Sequence, residues 1–368
     1  VVCPFSAMDA WSEELDKEME PNTILWARTR TARLELLHNV IANPNETHWC
    51  IVNYAGHRVI GGAIARVRWV SVVLDESTHI INPKAGVTKY FLRNFRSVPH
   101  RWALTGTPDP HSELDYHQQL AWLDPDIIGF SYYHWRAKFC VPTSTQRGTW
   151  WQISPVGKRE IGWRLAMYTS RLTRKETKMD VDKVYKTFTY SMPDNLRTIY
   201  RGIARDFIYR GLDGHEKGRT KFSLVHYSWL RQLCGGFLPS VKGGRAIAES
   251  FVWKDKVLDL IRLCRSVWST EKVIVWCRYV HEVIAVKKFL SVNGLVVCAV
   301  TGDTPKACRK AFQELFKKPD GPQVFIATPE CYRMGTNLSA ASVVVYYTLP
   351  DGYLTWAQSQ DRAVTVGT

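Results

Sequence analysis

Nothing in this 368-residue sequence approaches the ~18 consecutive apolar residues that cross a bilayer as a helix, so no membrane-spanning helix is expected. The opening residues, Val1-Val2-Cys3-Pro4, lack the charged-then-apolar layout of a secretory leader. The nine cysteines, at positions 3, 50, 140, 234, 264, 277, 298, 308 and 331, include no C-x-x-C pair. That scatter argues against a zinc site or a disulfide framework, and for reduced thiols in a soluble, intracellular protein. The sequence has no low-complexity tract and no internal repeat. The phosphate-cradling pattern G-x-x-x-x-G-K-[ST] is also absent. Its nearest approach, Gly214-His215-Glu216-Lys217-Gly218-Arg219-Thr220, has the wrong spacing and lies in a polar stretch rather than after a strand.

What is present describes an ordinary globular chain, 45% hydrophobic and 23% charged, and long enough to divide into two domains. The formal charge of +15 and pI near 9.4 predict a polyanionic partner, nucleic acid before an anionic membrane. Fifteen tryptophans can stack on bases, although buried core is the commoner use of such residues.

One stretch organises the rest. Val70-Ser71-Val72-Val73-Leu74 is apolar and largely β-branched, and it ends in the adjacent carboxylates Asp75 and Glu76. Such a run reads as a parallel strand buried on both faces, and ligands of open α/β sheets sit beyond the carboxyl ends of their strands. An acid there can hold Mg²⁺ on a nucleotide while its neighbour activates water, or Asp75 can simply cap a following helix. About thirty residues on, a strand Trp102–Leu104, expected to be buried, runs into the turn Thr105-Gly106-Thr107-Pro108, whose hydroxyls can reach the acidic pair. Strands near Val1, at Trp49–Tyr54, and at 272–278, 297–302, 323–328 and 342–347 alternate with helical stretches, the rhythm of doubly wound parallel sheets. Between about Phe130 and Gly244 that rhythm fades, and Trp150, Trp151, Lys158, Arg159, Arg164, Arg171, Arg174 and Lys175 interleave basic and aromatic side chains. Any one of them is equally a solvated helix face. The stretches 211–218 and 241–244 read as exposed polar loops.

Taken in order, these segments resemble the Swi/Snf-like DNA translocases of helicase superfamily two, nearly end to end. Val1-Val2-Cys3-Pro4-Phe5-Ser6 followed by Trp11 is similar to motif Ia, Asp75-Glu76-Ser77 to motif II and Thr105-Gly106-Thr107-Pro108 to motif III. The strand ending in Arg278 is similar to motif IV, Gly335-Thr336-Asn337-Leu338 to motif V and Gln358-Ser359-Gln360-Asp361-Arg362 to motif VI. Asn82-Pro83-Lys84 after the acidic pair is typical of compact viral and bacterial members. The resemblance implies an α/β protein of two RecA-like doubly wound lobes, 1–155 and 249–368, joined by a helical, basic insert at 156–248. The first lobe is expected to be truncated at its N-terminus. The resemblance also implies an ATP hydrolase that moves on double-stranded DNA through its phosphate backbone, with ATP and Mg²⁺ as ligands. Asp75 would bind the metal, Glu76 would activate water, and Gln358 and Arg362 would act from the second lobe. Because Gln358 and Arg362 are four apart, one helical face is expected to present both. Thr105, Gly106 and Thr107 would couple nucleotide state to DNA, and Pro4, Ser6, Asn53, Arg278, Thr301, Gly302, Gly335 and Asn337 would contact it.

Three departures qualify that expectation. The family's phosphate cradle lies just upstream of motif Ia, where this sequence begins, so Val1 is not expected to be the biological start. Tyr332-Arg333 stands where the family has a glycine pair, and Thr365 where motif VI has its second arginine. Weak or no hydrolysis is therefore expected from these residues alone. A non-catalytic DNA-binding remnant of a helicase is the second reading, and an unrelated small-molecule α/β enzyme a third.

Overall fold

Parallel strands pair at both ends of the sequence, and the pairing explains why the apolar runs are short and β-branched: strands covered on both faces have no polar side. The computed structural model describes residues 1–42, 47–129, 131–145, 148–172, 176, 183–239, 250–267, 271–332, 338–360 and 362–363. The chain divides into two compact units, Val1–Lys178 and Met179–Thr368.

The first unit is built on strands β1 (Val2–Cys3), β2 (Asn22–Ile24), β3 (Trp49–Asn53), β4 (Ser71–Asp75) and β5 (His100–Leu104). They lie in the spatial order β2-β3-β1-β4-β5, every pair parallel. Helices α1 (Met8–Lys17), α2 (Arg30–Ile41), α3 (His57–Ile64) and α4 (Gly86–Asn94) connect them, and α5 (Tyr116–Leu123) and α6 (Pro125–Ile128) follow β5. Local chemistry sets several helix starts. Thr29 accepts from Ala32 N at 3.2 Å, and Asp124 accepts from Asp126 N ahead of Pro125 in the first turn of α6. One core joins Leu74, Val72, Ile60, Phe91, Phe95 and Trp122.

The unit continues through α7 (Tyr132–Phe139), the antiparallel hairpin of β6 (Cys140–Thr145) and β7 (Gly148–Ile153), and α8 (Pro155–Tyr168). Ser154 caps α8 by accepting from Gly157 N at 3.0 Å, again ahead of a proline. The strand rhythm expected to fade from about Phe130 thus resumes as a hairpin.

The second unit contains α9 (Asp194–Asp206), the small hairpin β8 (Ile208–Arg210) and β9 (Glu216–Arg219), α10 (Ser223–Cys234) and α11 (Asp255–Val267). The polar stretch 211–218, expected as a loop, is a turn whose second half is strand β9; 241–244 lies outside the described residues. A four-stranded parallel sheet follows, made of β10 (Lys272–Trp276), β11 (Val297–Val300), β12 (Val324–Ala327) and β13 (Ala341–Tyr346), in the order β11-β12-β10-β13. Helices α12 (Val280–Val292), α13 (Lys306–Lys317) and α14 (Tyr353–Gln360) accompany it. Val273, Val275, Val324 and Ile326 face one core, and Ile274, Trp276, Phe325 and Ala327 the other, so each strand alternates between two apolar layers. Doubly wound parallel sheets are thus present in both units. Among the described residues no helix is long and apolar enough to cross a membrane.

One expectation is overturned here. The strand Trp102–Leu104 is not buried: Trp102 is 56% exposed and Leu104 40%. Among the described strands β5 lies at the end of its sheet, and its burial alternates, with His100, Trp102 and Leu104 exposed, so one face of the strand is left uncovered.

Candidate functional site

Parallel register brings separate motifs of the first unit to one sheet edge. Cys3 lies opposite Asn53, Val2 opposite Leu74, and Asp75 opposite Leu104. The residues that follow these strand ends, Pro4, Asn53, Asp75-Glu76 and Thr105, therefore line the carboxyl edge of the sheet. The chain leaves β1 toward β3 and β2 but leaves β4 toward β5, so the topology switches direction between β1 and β4. A crevice at such a point is where open α/β sheets take ligands.

Asp75 emerges at this switch point and is held from two sides. The indole Nε1 of Trp11, on α1, donates to Asp75 Oδ2 at 2.9 Å, and the Tyr54 hydroxyl donates to the Asp75 carbonyl at 2.8 Å. Burial, with the nearby Asp75 charge, pushes the Tyr54 phenol well above its ordinary value, so it stays a donor. The same two causes push the buried Cys3 thiol up to about 12. Glu76 takes a left-handed backbone conformation, φ 53°, rare for a residue with a Cβ. Strain of this kind persists where surrounding structure imposes it, and it gathers at functional sites. Glu76 makes no side-chain cap on the short turn Ser77–Ile80, and Asp75 meets an indole, which removes the helix-capping alternative.

The Thr105–Pro108 turn approaches the acidic pair as expected. Thr105 Oγ1 donates to Glu76 Oε2 at 3.4 Å and accepts from Thr107 N at 3.2 Å. The Thr107 hydroxyl oxygen is buried without a hydrogen-bond partner among the described residues, and Gly106 is exposed. Asn53 Oδ1 is likewise buried and unpartnered. Pro4 is buried, its carbonyl accepting from Ala7 N at 2.9 Å, while Ser6 is half-buried.

In the second unit the register aligns Trp276 with Ala327 and Tyr346, and Val300 with Ala327. Arg278, Thr301, Gly302 and Thr328 thus follow strand ends on one edge. Arg278 is committed there to other protein groups: its guanidinium donates to Asp351 at 2.7 Å and lies 3.5 Å from Glu330. Thr301 N donates to Thr304 Oγ1 at 3.0 Å, and the Gly302 carbonyl accepts from Arg309 at 2.7 Å. Gln358 is buried on α14, which ends at Gln360. Arg362 follows that end in a turn, its carbonyl accepting from Leu338 N at 3.1 Å. Gln358 lies within α14 and Arg362 beyond its end at Gln360, while Asp361 lies outside the described residues. Gly335 and Asn337 lie outside the described residues, as do Arg333 and Thr365.

The basic-aromatic stretch is largely spoken for within its own unit. Lys158 pairs with Glu113 at 2.8 Å, Arg164 with Glu160 and the Ile127 carbonyl, and Trp151 lies beneath Arg136 at 4.2 Å. Trp150 and Arg159 are exposed, and Arg174 and Lys175 fall outside the described residues.

Sequence reasoning noted Trp11 only as part of a motif and missed its bond to Asp75; it also missed Tyr54 as a holder of that strand end. A second omission is Glu282, fully buried on α12. Its Oε2 accepts from Thr348 Oγ1 at 2.6 Å and from Tyr279 N at 3.0 Å, and burial raises its carboxyl to about 7. The spacing Tyr279-x-x-Glu282, an acid at the third residue of a helix, was the available signal.

The acidic pair fits a magnesium ion. Mg²⁺ takes one or two protein carboxylates and completes its shell with phosphate and water, so the lack of any cluster of three or more acidic, His or Cys ligands among the described residues does not count against it. The phosphates of a nucleotide find no glycine-rich cradle in these 368 residues.

The SNF2-related domain matches residues 1–235, and the helicase conserved C-terminal domain matches residues 255–367. The chain is 21% identical to the human DNA excision repair protein ERCC-6 over all of this chain and 26% of that protein. It is 23% identical to an uncharacterised ATP-dependent helicase of Mycoplasma pneumoniae, over all of this chain and 33% of that one. It therefore spans a third or less of the length of these relatives. They are eukaryotic and bacterial, and give no support to a viral origin. Among solved structures, the Sulfolobus solfataricus SWI2/SNF2 ATPase core in complex with dsDNA aligns with 99% of this chain and 73% of that one, at 18% identity and a TM-score of 0.42.

Proposed function

Since the chain belongs to the SNF2-related family, within the Swi/Snf-like branch of helicase superfamily two, we propose that it is the motor portion of an ATP-driven translocase on double-stranded DNA. The observation that carries this reading is the acidic edge, where Asp75 and a strained Glu76 emerge at the topological switch point, with Thr105 bonded to Glu76. Asp75 would hold Mg²⁺, which when bound neutralises phosphate charge. Glu76 would orient and deprotonate the attacking water, and Gln358 and Arg362 would act on the transferring phosphoryl group from the second unit. Thr105 and Thr107 would carry the nucleotide state toward DNA, with Pro4, Ser6, Asn53, Thr301, Gly302, Gly335 and Asn337 as backbone contacts. Arg278 fits this role least, since its charge is already met by Asp351 and Glu330. Domain bounds of 1–155, 156–248 and 249–368 belong to the same proposal.

A second reading is a DNA-binding remnant without turnover. It is favoured by Tyr332-Arg333 in place of a glycine pair and by Thr365 in place of an arginine. The test is phosphate release with and without duplex DNA, on the longest polypeptide the gene encodes. DNA-stimulated release that Glu76→Gln lowers by about a hundred-fold or more supports the motor. Salt-sensitive DNA binding without release supports the remnant.

A further inference from the structure

Thr105 and Glu76 approach only to 3.4 Å, at the limit of a hydrogen bond, so their contact holds the two turns together weakly. A stronger link runs behind them. Ser77, fully buried and next to the acidic pair, donates its hydroxyl to Gln119 Oε1 at 2.6 Å. The other end of the same amide, Nε2, donates to the Pro108 carbonyl at 2.6 Å and to the Asp115 carbonyl at 3.0 Å. Gln119 is 5% exposed on α5, and α5 is anchored to β5 when Trp122 Nε1 donates to the Trp102 carbonyl at 3.4 Å.

We propose that Gln119 is a positioning residue: its single planar amide ties the turn after the acidic pair to the Thr105–Pro108 turn, so that the two move together. The chemistry is specific to glutamine at this place. One side must accept and the other must donate; a carboxylate offers no donor at neutral pH, and a lysine no acceptor. Leaving a buried donor or acceptor unmatched is costly, so removing either end of the amide is expected to loosen both turns. The adjacent Gln118 does not share the task, since its amide meets His117 at 3.2 Å.

This inference rests on the reading of Asp75 and Glu76 as the nucleotide-facing pair, but its first test does not. Hydrogen exchange is followed at the amides of residues 76–81 and 105–112 in Gln119→Leu and in the smaller change Ser77→Ala, with strand β4 as internal reference. Both variants are expected to exchange about ten-fold faster in the two turns while β4 is unchanged. Unchanged exchange in 105–112 in both variants overturns the strap. The second test measures DNA-stimulated hydrolysis on the longest encoded polypeptide. Gln119→Leu is expected to lower kcat with DNA about ten-fold and leave KM for ATP within about two-fold, with rates referred to the folded fraction measured by circular dichroism, because loss of folded protein would lower the apparent kcat in the same way. The double variant with Ser77→Ala is expected to lose no more than Gln119→Leu alone; full additivity overturns the shared linkage. A wild-type protein that never hydrolyses ATP removes the motor reading, while the exchange result still decides the strap.

Discussion

Trp11 acts on the acidic edge through one hydrogen. Its indole is the side-chain donor to the Asp75 carboxylate, and a hydrogen bond to a charged group contributes about 1.5–3 kcal/mol. Trp11→Phe keeps the ring and removes that donor, so DNA-stimulated phosphate release is expected to fall roughly ten-fold while circular dichroism at 25 °C is unchanged. Two buried titratable residues set opposite pH dependences. His117 is fully buried beside Tyr132 and Trp135, and burial lowers its imidazole to about 4 from 6.5. The unfolded chain takes up that proton first, so stability is lost as pH falls from 6.5 toward 4. His117→Phe is expected to flatten this acid limb in urea titrations of the first unit's signal. Glu282 runs the other way. Its folded value of about 7, against 4.5, means that the fold holds the proton longer than the unfolded chain. Its contribution is fully present below 4.5 and is lost as pH rises to about 7. His281, lowered to about 4, opposes it, so the informative quantity is the difference between wild type and Glu282→Gln. The variant is expected to gain stability relative to wild type at pH 8 and to lose that advantage at pH 4.5; a constant difference would place the effect elsewhere.

Element identity was readable wherever composition and period agreed. The runs at Val72–Leu74, 273–276 and 324–327 became parallel strands because β-branched residues without a polar side suit a doubly covered sheet. What their composition did not disclose was rank within the sheet. Trp102 reads as a core residue and is half exposed, since β5 ends the sheet among the described strands and the face carrying His100, Trp102 and Leu104 is left uncovered. An exposed apolar edge promotes association. Trp102→Lys is therefore expected to reduce concentration-dependent light scattering, with unfolding free energy changed by less than about 0.5 kcal/mol. Scattering equal to wild type would show that the edge is not the adhesive surface. Spacing four places Gln358 and Arg362 on one helical face only while the chain stays helical, and α14 ends at Gln360, with Asp361 outside the described residues.

At the scale of the molecule, a charge of +15 gives DNA affinity a measurable signature. With about six phosphate contacts, binding to duplex DNA is expected to weaken roughly a thousand-fold between 50 and 200 mM salt, read by fluorescence anisotropy. A flat salt response would deny the phosphate backbone a leading role. The sequence by itself determined the family, the sheet class and the order of the motifs, because these rest on residue type and local period, which the chain carries in one dimension. Tertiary structure alone decided what each motif touches. Trp11 and Asp75 are 64 positions apart, Ser77 and Gln119 are 42 apart, and Arg278 and Asp351 are 73 apart. Hydrogen bonds have fixed short lengths and preferred directions, so partners this remote are selected by how strands stack and where their ends fall, which no local pattern records.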